Sequence, residues 1–144
     1  MFLFGSRRGD DKSLPRDDRG FGSLRDYIYN LTPKNRRVTL VLADSNPHQD
    51  ELRALLDTGA TEFHTAVSPR TIQAEGVDAP IEVRLITERR VSGVVGRVPR
   101  GLESVLDENL RRLDDAGLKM RIPTRIDETR DGLRVVLLMG ELKK

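Results

Sequence analysis

The chain has no cysteine and no tryptophan. Without thiols it forms no disulfide, carries no thiolate nucleophile and builds no cysteine-ligated metal site. Histidine is almost missing as well. His48 and His64 are the only two, and neither has a partner at zinc-ligand spacing. Aromatic residues are 4% of the total. No apolar run approaches the roughly 18 residues of a membrane span. The opening Met1-Phe2-Leu3-Phe4 is far too short for the hydrophobic region of a signal peptide. The expectation is a cytoplasmic protein with no membrane contact, no metal and no cofactor.

What the chain does have is charge, and it is unevenly spread. Its 144 residues are 37% hydrophobic and 33% charged, enough for one domain with its own core. Residues 1–37 carry nine Lys/Arg against five Asp/Glu, while the remainder carries 16 against 18. Gly5, Gly9, Pro15, Gly20 and Gly22 break up the basic stretch. Residues 1–36 therefore read as a basic, largely disordered N-terminal arm, and residues 37–142 as the folded domain. Within the arm, Leu24, Tyr27, Ile28 and Leu31 have the spacing of one or two helical turns.

The domain alternates strands with two helices. Arg37 to Ala43 reads as a strand. Ser45 or Asn46 then suits a helix N-cap, Pro47 the first helical position, and Leu52, Leu55 and Leu56 an apolar stripe ending at Gly59. Thr61 to Val67 suggests a short strand, Ser68 to Asp78 a loop, and Ile81 to Thr87 an alternating strand. Val91 to Val98 is β-branched and interrupted by Gly93 and Gly96, as at a bulge or a close backbone approach. Pro99 stops it. Leu102, Val105, Leu106, Leu110 and Leu113 then share one helical face, with Glu103, Asp107, Glu108, Arg111 and Arg112 expected largely on the solvated other. Leu118 to Asp127 alternates, with Pro123 pointing to an edge strand. Asp131-Gly132 marks a hairpin turn before Leu133 to Met139.

Motifs for chemistry are few. Leu55-Leu56-Asp57-Thr58-Gly59-Ala60 resembles the active-site loop of retropepsin-like aspartic proteases, in which two such carboxylates share a proton. One loop per chain would require a homodimer, and the leucine spacing before Asp57 is that of a helix. Gly96 to Gly101 has phosphate-loop glycine spacing without the lysine that should follow. No nucleophile elbow is present. The pairs Asp107/Glu108 and Asp114/Asp115 read as a solvated helix face.

Val95-Gly96-Arg97-Val98-Pro99-Arg100 is similar to the valine-glycine-aromatic-leucine-proline-arginine segment of HIRAN domains. The helix after it, Ala116-Gly117-Leu118 and the closing strands resemble bacterial members. The resemblance covers roughly residues 38–140. It implies an α+β fold: a small, partly open antiparallel β-barrel related to the OB-fold, with two helices behind a flexible arm. It also implies a non-enzymatic module that binds single-stranded DNA or DNA ends. The family's asparagine-proline-tyrosine-aspartate loop is replaced here by Arg89-Arg90-Val91-Ser92, and its aromatic by Arg97. The expected contacts to nucleic acid are therefore Arg89, Arg90, Arg97 and Arg100, since guanidinium groups fork onto phosphate and stack on bases. The alternative is a protein-interaction module that uses the groove between barrel and helix.

Overall fold

The computed structural model describes residues 13–88 and 90–142. Six strands are numbered along the chain: β1 Leu40–Val41, β2 Phe63–Thr65, β3 Glu82–Ile86, β4 Val91–Arg97, β5 Pro123–Thr129 and β6 Gly132–Leu137. Helix α1, Gln49–Asp57, and the one-turn α2, Ile72–Gly76, flank β2; α3, Glu103–Asp115, joins β4 to β5. The fold is α+β. Its antiparallel sheet runs β1-β6-β5-β2-β3-β4 and curls into a half-barrel. No helix of the described residues is long and apolar enough to cross a membrane.

The curl follows from the strands themselves. The β3–β4 register shifts between Val83 and Arg84 and again between Arg84 and Ile86, and such bulges bend a strand pair. The two edge strands are thereby brought together. Ala43, just past β1, exchanges backbone bonds of 2.7 and 2.8 Å with Arg97 at the end of β4. Gly96 is needed beside this seam. A Cβ there would lie 2.8 Å from the Ala43 carbonyl oxygen and 2.9 Å from the Ser45 hydroxyl.

Beyond the seam β1 has ended, and α1 takes over its hydrogen bonding. The Gln49 side chain accepts from the Leu133 N–H at 2.8 Å and donates to the Leu133 carbonyl at 3.1 Å, as a neighbouring peptide group would. Glu51 accepts from the Gly93 N–H at 3.0 Å, and the Ser45 hydroxyl donates to the Val95 carbonyl at 2.9 Å. Inside lie Leu40, Leu42, Val83, Leu85, Val95, Val135 and Leu137 of the sheet region. Leu52 and Leu55 of α1 join them, with Val105, Leu106 and Leu110 of α3.

Several expectations change. Residues 13–36, expected within a largely disordered arm, lie against the barrel. Phe21 pairs with Val41 through backbone bonds of 3.0 and 2.9 Å, on the edge of β1 that also meets Arg97. Asp18 is 1% exposed, and its carboxylate accepts the N–H groups of Ser45 and Asn46, each at 2.8 Å. The cap ahead of α1 thus comes from the arm and not from Ser45 or Asn46. The arm contains single 3-10 turns, Arg16–Asp18 and Leu24–Asp26, and Tyr27 is already extended. Burial, helped by the charge of Asp26, pushes the Tyr27 phenol far up from the usual tyrosine range.

The strand with Pro123 is not an edge. It lies between β6 and β2, and its proline is tolerated as the first residue, where no ladder N–H is required. Glu103 and Asp107 are buried rather than solvated, because the loop expected at Ser68 to Asp78, with α2 inside it, closes over them.

Candidate functional site

Of the four expected arginines, the three described, Arg90, Arg97 and Arg100, do not form one basic surface. Arg89 lies outside the described residues. Arg90 closes the turn between β3 and β4, where its carbonyl accepts from the Thr87 N–H at 2.9 Å. Its side chain is exposed beside an open cleft of about 370 Å³ lined by Thr58, Gly59, Ala60, Thr87 and Glu88. That cleft is lined by the residues that end α1, Thr58 and Gly59, at the negative end of the helix dipole. Glu88 adds a carboxylate. One exposed arginine in such a setting is a weak phosphate site.

Arg97 and Arg100 diverge from the strand end. The Arg97 guanidinium is 3.8 Å from the Asp44 carboxylate. Arg100 meets the Asp78 carboxylate at 2.7 Å, the Asp78 carbonyl at 2.7 Å and the buried Glu103 carboxylate at 2.8 Å. Asp44 and Asp78 both have left-handed backbones, with φ of 59° and 51°. Aspartate tolerates that region better than most residues, and here it aims a carboxylate at each arginine.

A further pair extends this compensation along α3. Asp107 is fully buried and takes two bonds of 2.8 Å from Arg70, one from its backbone N–H and one from Nε. Arg70 also donates to the Ala79 carbonyl at 2.9 Å. Burial works against the Arg70 charge, yet its bonds to Asp107 and Asp78 outweigh it and hold the guanidinium above its ordinary value. Arg111 bonds Glu75 of α2 at 2.5 Å, and that bond chiefly raises its own pKa. The charges on this flank of α3 fasten a loop.

Exposed cations without an ion pair among the described residues are scattered on the body, at Arg84, Arg90, Lys119, Arg121 and Arg130, and gather on the arm. Arg16, Arg25, Lys34, Arg36 and Arg37 are exposed, and none forms an ion pair among the described residues. The arm also carries the bare aromatics: Phe21 is 74% exposed and Tyr29 103%. Sequence reasoning singled out Phe21 as a ring that could dock on a partner but passed over Tyr29 by treating the arm as largely disordered. The signal was Asn30 and Pro33 beside Tyr29, which are turn-forming residues.

The remaining motifs resolve simply. Asp57 is the last residue of α1, and Gly59 follows with φ of 80° as the helix ends. An aspartic-protease loop extends from a strand, so Asp57-Thr58-Gly59 here is a helix terminus. No group of three or more acidic or histidine side chains among the described residues is placed to hold a metal. Comparisons with family models, curated proteins and solved structures find no match to this chain.

Proposed function

We propose that the chain is a non-enzymatic nucleic-acid-binding module of HIRAN-like type, with single-stranded DNA as its ligand. The observation that carries this reading is the concentration on the arm of exposed cations without carboxylate partners, Arg16, Arg25, Lys34, Arg36 and Arg37, joined by Arg90 on the β3–β4 turn. Uncompensated cations attract phosphate and release its counterions on contact. The curled sheet supports the reading, since small curled barrels of the OB type bind oligonucleotides. Arg97 and Arg100 contribute less than the sequence predicts, because their charge is already met by Asp44, Asp78 and Glu103.

The test is a salt titration of binding to a labelled single strand of about 20 nucleotides, longer than the roughly 16 that one OB fold covers. Affinity should fall linearly on a log–log plot, by about 0.7 per phosphate contact. Absence of binding at about 50 mM salt to both single and double strands sinks the reading.

A second reading is a protein-interaction module. It is favoured by a largely apolar groove of about 320 Å³ beside the end of α3, lined by Leu113, Ala116, Leu118 and Leu142 together with Thr32, Asn109 and Arg112. Binding there would be nearly independent of salt.

A further inference from the structure

The arm contains a loop, residues 23–37, that is anchored on the core through Tyr27 and Leu31 yet holds a second tyrosine out in solvent. It starts at the Leu24–Asp26 turn, capped by the Ser23 side chain. The chain then runs outward and returns antiparallel. The Ile28 N–H donates to the Thr32 carbonyl at 2.8 Å, and the Lys34 N–H to the Asp26 carbonyl at 2.9 Å. At its tip Leu31 has φ of 62°, a backbone that leucine disfavours.

Two side chains of α3 hold that strained tip. Asn109 is buried and donates to the Leu31 carbonyl at 2.9 Å, while Arg112 donates to the Asn30 carbonyl. The Asn109 amide oxygen accepts in turn from Arg112 at 2.9 Å. Strain persists only where its surroundings over-determine it, and it collects where a geometry is used.

What the held loop presents is Tyr29. Tyr27 points into the core, but Tyr29 is fully exposed and adds nothing to it. Around it, residues 23–37 carry four cations, Arg25, Lys34, Arg36 and Arg37, against one carboxylate, Asp26. A bare ring on a fixed support, with unpaired cations in the same loop, complements a ligand that offers both flat apolar faces and negative charges. A single-stranded nucleic acid offers both; a duplex hides its base faces in the stack. Tyrosine and arginine also occur at protein interfaces, so a protein partner is the reading that failure to bind either oligonucleotide would favour.

We propose that this loop is the base-stacking site of the module. Tyr29 is the platform, Arg25 and Lys34 meet the flanking phosphates, and Asn109 is a positioning residue that fixes the loop. The proposal rests on the nucleic-acid reading above and gives it a site separate from the β3–β4 turn. DNA and RNA share base faces and phosphates and differ at the 2′-hydroxyl, so the probes are oligothymidylate and oligouridylate.

The chain supplies its own reporter. It has two tyrosines and no tryptophan, and Tyr27 is buried. Titration with either probe should quench tyrosine emission in step with binding. Tyr29→Phe should abolish the quenching yet keep affinity within about threefold, since the stacking face remains. Tyr29→Ala should weaken binding roughly 5- to 150-fold. Arg25→Ala and Lys34→Ala should each lower the salt slope by about 0.7. Asn109→Ala should weaken binding too, and adding it to Tyr29→Ala should cost no further affinity.

Wild-type affinity in Tyr29→Ala, with emission unquenched in the parent chain, would overturn the stacking site and leave the nucleic-acid reading standing. No binding of the parent chain to either probe would remove both.

Discussion

Two loops are fastened to α3, and they are fastened by opposite means. The 68–80 loop is held through charges: Arg70 on Asp107, Arg100 between Asp78 and Glu103, Arg111 on Glu75. The 28–32 tip is held by side chains that donate to its carbonyls, Asn109 and Arg112. Along α3, Glu103, Asp107 and Arg111 recur every fourth residue on one flank, as do Val105 and Asn109 on another. The first loop is fastened by its one cation, Arg70, and by Arg100 and Arg111 outside it, all of them paired with carboxylates. The second leaves Arg25 and Lys34 unpaired. The difference teaches that an arginine is placed by its carboxylates. Counting cations along a sequence does not tell Arg25 from Arg70, and only compensation separates a phosphate site from a clamp.

The largest effect that sharpens this comparison is expected at Asp107→Ala. The change leaves the Arg70 guanidinium, whose side chain is 7% exposed, without its main counter-charge. Removing one partner of a buried pair typically costs about 3–5 kcal/mol. Urea denaturation should show a loss of that size. A loss below about 1 kcal/mol would mean that the 68–80 loop swings out and rehydrates Arg70 at little cost, and the charge clamp would be no clamp.

A middle effect is expected where the arm joins the barrel. Asp18→Ala leaves the N–H groups of Ser45 and Asn46 without their acceptor, at about 1–3 kcal/mol for a buried unsatisfied group. Asp18→Asn keeps one acceptor oxygen and should lose less. Thermal unfolding of both variants checks the order. Equal stability of Asp18→Ala and the parent chain would break the comparison from its other side, because the segment leading into the 23–37 loop would then be held only by the Phe21–Val41 pair and the α3 side chains.

These anchors also mark what the sequence made legible. The α3 stripe and the Asp131-Gly132 turn are local patterns, and the structure has the helix at Glu103–Asp115 and the β5–β6 hairpin. The glycines of β4 signalled a close approach, met at Gly96 against Ala43. The α+β half-barrel agrees with the fold that the resemblance implies, whereas the local signals placed its elements. Long-range polar pairing was not legible. Asp18 capping a turn 27 residues away, and Gln49 mimicking a strand beside Leu133, have no periodicity to read. Asp107 was misplaced for the same reason. Its face of α3 looks polar, and only the partner at Arg70 shows that it is covered. The candidate site was the least legible part, because charge on a surface side chain says nothing of the carboxylate that meets it in space.

The smallest expected effect is the most diagnostic. Arg25 and Lys34 are exposed and form no ion pair among the described residues. Their backbone groups shape the loop: the Arg25 N–H donates to Ser23 Oγ and the Lys34 N–H to Asp26. Glutamine keeps those groups and most of the side-chain length while removing the charge. The double variant Arg25→Gln/Lys34→Gln should therefore unfold within about 0.5 kcal/mol of the parent chain, as surface changes away from caps and cores usually do. The sign should lean toward stabilisation, because two like charges leave a stretch with a basic excess. A loss above about 1 kcal/mol would show that these side chains are structural like Arg70, and the contrast between the two loops would vanish. An unchanged fold together with a reduced salt slope for oligonucleotide binding separates the roles: the charges serve a ligand and leave the fold as it was.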